Sequence, residues 1–359
     1  MPLNYRLKSE RRNLTLDQIY KMSEVEASAF IAEARWGSTT KQVCSNCGSV
    51  DAHYHRKSRK QWLCKHCGHT FSLTSNTVFA NLKISHKQLL KFCFMFCNSA
   101  KGNSAVELTG MFGVSHKTAW IINQKIREGL LWSRDESKLS GMVHIDGGYF
   151  GGKRRHGRLK KYNIPHKNIE AKIASKGKSK TTLTPAQKRN YWLRKNKRRL
   201  LINIREVDTN GNNGGIKTRV AVCKTENEVD INKLCKRFVV EGSTIWTDDH
   251  NAYNSLNEKF KHESVEHSIE FMSVDGVHNN QAESYFSRLR RSEYGVYHGM
   301  RAQYLLDYAQ EAAWREDMRK VSLKDQVISL ISKVMSTGDS SWWKGYHQGY
   351  RRKDELMNF

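Results

Sequence analysis

Three acidic residues stand where this chain's pattern could bring them together. Asp146 closes the apolar run MVHID, Asp248 closes STIWTD, and Glu283 lies on a later basic helix. Converging carboxylates suit hard divalent cations such as Mg²⁺ or Mn²⁺, which select oxygen ligands. Two such ions about 3.5–4 Å apart can hold the attacking and leaving oxygens of an in-line phosphoryl displacement. Each acid also has a plain structural reading: Asp146 as a strand-end cap, Asp248 as a helix N-cap, Glu283 as a solvated helix position. Asp249 competes with Asp248, but Asp248 directly ends the strand pattern, and Asp249 suits the cap of the next helix. Asn280 precedes Glu283 by three residues and so shares its helical face; it could hold a metal-bound water or a carboxylate. Arg288 and Arg291 follow on the same helix and could contact phosphate.

A second group offers different chemistry. Cys44, Cys47, Cys64 and Cys67 form C-x2-C-x16-C-x2-C. Two such knuckles supply four thiolates to one tetrahedral zinc ion, a closed structural site with no open position for catalysis. Glycine follows each knuckle, as CSNCG and CKHCG, and accepts the tight turn there. His53, His55, His66 and His69 are competing ligands, but two complete CxxC pairs make them surface or DNA-facing residues instead. Cys93, Cys97, Cys223 and Cys235 sit in apolar segments and read as core.

The chain has 359 residues, enough for several domains, and a formal charge of +26 from 61 Lys+Arg against 35 Asp+Glu. Such an excess is relieved by a polyanion, and nucleic acid is the first candidate. No run of about 18 apolar residues exists to span a bilayer. MPLNYRLKSERRNL lacks the apolar core of a signal peptide, and cysteines set for zinc point to a reducing, intracellular compartment.

The elements that must position these groups can be read in order. Residues 15–35 read as an amphipathic helix with a capping-box pattern at Ser23 and Glu26, within an N-terminal helical segment, 1–42. The ribbon occupies 43–80. In region 81–135, a buried helix precedes a short helix over Ser104–Met111, a turn around Gly113, and a second helix capped by Ser115 and running to about Arg127. Helix, glycine turn and capped helix is the helix-turn-helix pattern. Its second helix would present His116, Lys117, Asn123, Gln124 and Arg127 to phosphates or base edges; an ordinary helical hairpin is the plainer reading.

From 140 to 320 the pattern becomes three strands as a meander, a helix, a strand, a helix, a strand and another helix. This is the ribonuclease H-like order. Its first and fourth strands are neighbours, so Asp146 and Asp248 converge at one sheet end and a later helix brings Glu283 across. The fold class is therefore multidomain α+β and α/β: zinc ribbon, helix-turn-helix bundle, then a mixed sheet flanked by helices. Residues 153–199 interrupt this domain with 18 Lys+Arg and one Glu. They read as a solvated charge run or as a clamp along a DNA backbone, with Lys153, Arg154 and Arg155 leading and Tyr162, Tyr191 and Trp192 as stacking groups. A helical and basic tail, 321–359, follows.

Together these segments resemble bacterial insertion-sequence transposases of the DDE type, with an N-terminal zinc ribbon and a helix-turn-helix, related to the Merlin elements. The resemblance is carried by ARWG, VSHKTAW, HIDGGYFGGK, TDDHNAY, HNNQAES, and GVYHG followed by YLLDYAQEAAWR, and covers about residues 20–320. It implies that Asp146, Asp248 and Glu283 form a metal-binding triad accompanied by Asn280. Gly147 departs from the family, which usually has an acidic residue there. The resemblance further implies two Mg²⁺ or Mn²⁺ ions, binding of terminal inverted repeats and target DNA, hydrolytic cleavage of the ends, and joining of the 3′-hydroxyls to target. It implies a homodimer or higher oligomer on DNA, in a bacterial cytoplasm and associated with the nucleoid. The alternatives are a DNA-binding regulator on an inactive domain of this fold, a nuclease or resolvase without strand transfer, and an RNA-binding zinc protein.

Overall fold

The computed structural model describes residues 5–51, 53–151, 198–209, 214–265 and 279–357. The N-terminal helical stretch is two helices rather than one. Capping boxes at Thr15–Gln18 and Ser23–Glu26 start α1 (Leu16–Lys21) and α2 (Glu24–Trp36) separately. The carboxylate of Glu24 accepts hydrogen bonds from the backbone N–H groups of His86 and Lys87, at 2.7 and 3.1 Å. These are unpaired donors of the first turn of α3 (His86–Asn98). The ribbon lies between them as three antiparallel strands, β1 (His53–Arg56), β2 (Gln61–Cys64) and β3 (Thr70–Ser72).

The helix-turn-helix forms as its caps predict. Ser104 caps α4 (Ala105–Phe112), Gly113 ends it in the left-handed region at φ 64°, and Ser115 caps α5 (His116–Trp132). The second helix runs five residues past its expected end and becomes the centre of the bundle.

The large sheet has five strands: β4 (Met142–Phe150), β5 (Arg199–Val207), β6 (Gly215–Cys223), β7 (Thr244–Asp248) and β8 (Lys261–Val265). Their order is β6-β5-β4-β7-β8, with β4, β5 and β6 antiparallel and β7 and β8 parallel to β4. This is the ribonuclease H-like arrangement expected. One face packs on α6 (Glu228–Phe238) and the 3-10 helix Asn251–Glu258, through Val143, Ile145, Ile202, Leu234 and Tyr253. The other packs on α7 (Asn280–Gly295) and α8 (Leu305–Asp317), through Phe150, Val222, Phe286 and Ala309. Lys153, Arg154, Arg155, Tyr162, Tyr191 and Trp192 lie outside the described residues.

The stretch read as a tail is part of the bundle. Helix α9 (Leu323–Met335) buries Val327, Leu330, Ile331 and Val334 in one core with α2, α3 and α5. Beyond it, Trp343 packs edge-on against Trp120 of α5, and Glu128 of α5 accepts hydrogen bonds from Ser340, Ser341 and Trp342.

Helices α5 and α9 touch at Gly129, where a Cβ would lie 2.7 Å from Val334 Cβ and 2.9 Å from its Cα. Overpacking costs about 1–3 kcal/mol, more than the roughly 0.8–1 kcal/mol that alanine gains over glycine in a helix. Gly129→Ala should therefore lower stability in chemical denaturation by on the order of 1 kcal/mol. In contrast, a Cβ at Gly110 of α4 meets nothing within 4 Å. Gly110→Ala should stabilise by about 0.4–1 kcal/mol.

Candidate catalytic centre and zinc site

Strand register brings two of the three acids together. The parallel pairing of β4 with β7 matches Met142 with Thr244, Val143 with Ile245 and His144 with Trp246. Continued by two residues, it sets Asp146 level with Asp248 on the same face, because strand side chains alternate. Asp146 does not end its strand, as expected from sequence. β4 continues to Phe150, paired with β5 throughout, and Asp146 stands opposite Asn203. What ends at His144 is the pairing to β7, so the carboxylates stand where those two strands part.

The third acid arrives on α7. The N-terminus of that helix is fixed to the same sheet face by β5: Asn203 Nδ2 donates to Ala282 O at 3.4 Å, and Arg205 Nη1 to Gln281 O at 3.0 Å. Glu283 lies in the first turn of α7 and is exposed. The centre is open: among the described residues, only the four ribbon cysteines bring three or more His, Cys, Asp or Glu ligand atoms within 4.8 Å of one another. Its electrostatics nonetheless show mutual influence. Burial foremost, then the charge of Asp248, push the Asp146 carboxyl up to about 8. Glu226 and Glu283 add to this, opposed by the Gly147 N–H, which donates to Asp146 Oδ1 at 2.7 Å.

The asparagine that bonds to Asp248 is Asn279, and not the expected Asn280. Asn280 opens α7 and its side chain is exposed. Asn279, fully buried, donates from Nδ2 to Ile145 O at 2.9 Å and to Asp248 Oδ1 at 3.3 Å. Helical spacing from Glu283 favoured Asn280, but Asn279 precedes the helix, and only there does its side chain turn back to the sheet. The missed signal is the position: Asn is a preferred residue immediately before a helix. Asp249 is exposed, and His250 rather than Asp249 accepts the capping hydrogen bond, from the N–H of Ala252.

A divalent cation fits this centre by the chemistry of its donors. The acids are hard oxygen ligands, their mutual repulsion is what a cation relieves, and buried Asn279 Oδ1 has no hydrogen-bond partner among the described residues.

The ribbon site is closed and compact. Cys44 Sγ lies 3.7 Å from Cys67 Sγ, and Cys47 Sγ 3.6 Å from Cys64 Sγ. Gly48 and Gly68 adopt φ 74° and 68°, the left-handed turn that each knuckle requires. Burial pushes the Cys44 thiol up to about 11, whereas the hydroxyl and N–H of Ser49 bring Cys47 down to about 6. Tetrahedral zinc fits four thiolates so arranged. The ribbon histidines are not among them: His53 bonds Gln42 O, His55 stacks on Trp62, and His66 and His69 are exposed.

Of the residues assigned to DNA contact, His116 and Lys117 are exposed at the start of α5. Asn123, Gln124 and Arg127 are buried, and that assignment is corrected. They face inward because α5 is enclosed by α8 and α9. Arg127 Nε donates to Glu311 Oε2 of α8 at 2.6 Å. Arg291 is exposed, whereas Arg288 is engaged by Glu316.

The sheet order and its flanking helices define a ribonuclease H-like domain, joined here to a helical bundle and a four-cysteine ribbon. Residues 138–317 match the family model of the ISXO2-like transposase domain, and residues 22–70 that of the transposase zinc-ribbon domain. The chain belongs to this family of insertion-sequence transposases, with a structural zinc site in its ribbon. No curated protein matches it. No helix among the described residues is long and apolar enough to cross a membrane.

Purified protein should contain one zinc per chain by elemental analysis. Cys64→Ser should lose it and alter the fluorescence of Trp62, which stacks on Phe71 beside Trp36. The circular dichroism of the helical bundle should persist.

Proposed function

We propose that this transposase binds the terminal inverted repeats of its own element, cleaves the ends by phosphodiester hydrolysis and joins the freed 3′-hydroxyls to target DNA. The observation that carries the reading is the level placement of Asp146 and Asp248 on adjacent parallel strands, with Glu283 entering from the helix above. Two bound Mg²⁺ or Mn²⁺ ions would activate the attacking oxygen and neutralise the leaving one. The chain's own residues supply the frame. Asp146, Asp248 and Glu283 hold the ions, the Gly147 N–H orients Asp146, and Asn279 orients Asp248. The same frame serves hydrolysis and strand transfer, since water and a 3′-hydroxyl attack phosphorus in the same way.

DNA is held by the other parts. His116 and Lys117 sit at the N-terminus of α5, where helix dipole and side-chain charge both attract phosphate. The ribbon, residues 43–80, shares end binding with the helical region 81–135. Lys153, Arg154 and Arg155, at the start of the basic insertion 153–199 within the catalytic domain, 140–320, supply phosphate contacts, and Arg291 offers a further one. Synapsis of two ends calls for a dimer or larger assembly on DNA, acting in the bacterial cytoplasm at the nucleoid.

The test uses duplex DNA carrying the gene's own flanks, with protein and Mg²⁺, mapping 3′ ends and joined products. Discrete cuts at a repeated sequence and joining to new DNA are expected. Asp146→Ala should reduce both by more than the roughly 10–100-fold typical of losing a metal ligand's supporting partner, while end binding persists. Binding without cutting in Mg²⁺ or Mn²⁺ would instead make the chain a DNA-binding regulator on an inactive domain. Lys117→Ala should weaken binding to all sequences and reduce the salt slope by about 1; an unchanged slope would remove Lys117 from the DNA interface.

A further inference from the structure

A basic cleft lies beside α5. It has a volume of about 670 Å³ and is walled by residues 80–84, by Thr118, Ile121 and Lys125 of α5, and by residues 339–348. Clefts of about 300–1,000 Å³ are of a size to take ligands. Lys83, Lys125, Lys344 and His347 line it from these three segments, and the carboxylate among the lining residues, Asp339, is paired with Lys344 at 3.4 Å. Lys125 is buried, and its ammonium donates to Ala80 O at 3.2 Å. An ammonium has three donors, and a buried charge is costly unless it is paired. Glu128, the acid that acts on it most, is taken up by Ser340, Ser341 and Trp342, and Asp339 by Lys344. Burial holds the Lys125 ammonium down at about 8, so it is still mainly charged at pH 7. Burial, then the charges of Lys117, Lys125 and Lys83, hold the His347 imidazole below its usual value. A neutral imidazole can still donate one N–H to an anion.

We propose that this cleft binds one backbone phosphate of duplex DNA, between the buried ammonium of Lys125 and the exposed side chains of Lys83, Lys344 and His347. The inference rests on the reading of α5 as a DNA-contacting helix. The chemistry selects an anion, because a phosphate accepts hydrogen bonds from several charged donors at once and removes the repulsion among them. Position selects DNA. Thr118 in the cleft wall directly follows Lys117, and Lys117 Nζ lies 5.6 Å from the ring centroid of Tyr346 in the segment opposite. Arg351 lies over the same ring at 3.7 Å, so positive charge continues from Lys117 along the rim of the cleft. Two of its three walls come from the connection after the ribbon and from the chain's last segment. That segment thereby joins the DNA interface.

The test measures duplex binding by the zinc-loaded full-length protein, by fluorescence anisotropy over a range of salt. Each phosphate neutralised contributes about 0.9 to the slope of log K against log salt. Lys125→Met should lower the slope by about 1. The double variant Lys83→Ala/Lys344→Ala, which truncates only exposed side chains and so guards against misfolding, should do the same. All three substitutions together should lower the slope no further, because one phosphate is shared. Adding Lys117→Ala should lower it by about 1 more. A slope that falls with every lysine removed would mean a diffuse basic face and overturn the site. So would unchanged slopes in the cleft variants beside a reduced one in Lys117→Ala. Pyrophosphate titrated into the DNA-free protein by calorimetry separates the two sources of phosphate. Pyrophosphate binding that is lost in Lys125→Met, with the DNA slope unchanged, would assign the cleft to a free phosphate compound and overturn the DNA proposal. A wild type that binds no duplex would overturn the reading of α5 itself, and the pyrophosphate titration would then decide the cleft alone.

Discussion

The parallel pairing of β4 with β7 is the constraint on which the proposed centre depends. Three matched pairs, Met142–Thr244 to His144–Trp246, fix the register, and the strands then separate. A slip of one residue would turn Asp248 to the opposite sheet face. Register is protected from below, where Val143, Ile145 and Ile245 are fully buried and cannot exchange places with polar neighbours. The acids are thus placed by apolar residues next to them in sequence, not by contacts of their own. α7 follows the same logic, since Asn203 and Arg205 hold its first turn through backbone carbonyls and leave Glu283 at the surface.

A second constraint joins α5 to this sheet. Glu311 of α8 accepts hydrogen bonds from both Arg127 of α5 and Arg315, and Arg315 also donates to the carbonyls of Phe96 and Ser99 at the end of α3. All three charged side chains are buried or nearly so. Such a network gains little over an apolar core, but breaking it leaves an uncompensated buried charge at about 3–5 kcal/mol. Its effect here is one of geometry. Two guanidinium groups sharing one carboxylate permit few alternative packings, so α5 and the sheet keep a fixed relation. His116 and Lys117, the proposed phosphate contacts, are then tied to the sheet by a rigid path through α5 and α8.

What the sequence shows and hides follows from the range of each signal. The ribbon, the caps at Ser23, Ser104 and Ser115, and the order of strands were legible, because spacing, capping and alternation are local. The pairing of Asp146 with Asp248 was legible through strand order. The inward face of α5 was not. Asn123, Gln124 and Arg127 have the chemistry of DNA readers, and only the packing of α8 and α9 around them shows that they are used as internal ties. The same long-range packing turned an unassigned tail into a bundle helix and an aromatic cover over Trp120. Asn279 escaped for a related reason: it stands on neither a strand nor a helical face, and only tertiary structure turns its side chain to Ile145 and Asp248.

The distribution of charge reconciles a strongly basic chain with an acidic centre. Buried or nearly buried arginines pair locally: Arg127 and Arg315 with Glu311, Arg205 with Glu316, Arg219 with Asp135 and Arg352 with Asp307. In Asp307 the cost is visible, since burial holds its carboxyl up at about 6 even against the Arg352 guanidinium. The excess of +26 over the whole chain is what the phosphates of DNA would relieve in the proposed function. The Asp146 carboxyl, by contrast, is shifted chiefly by burial and by other carboxylates. At that sheet end the proposed cation would relieve the repulsion among carboxylates.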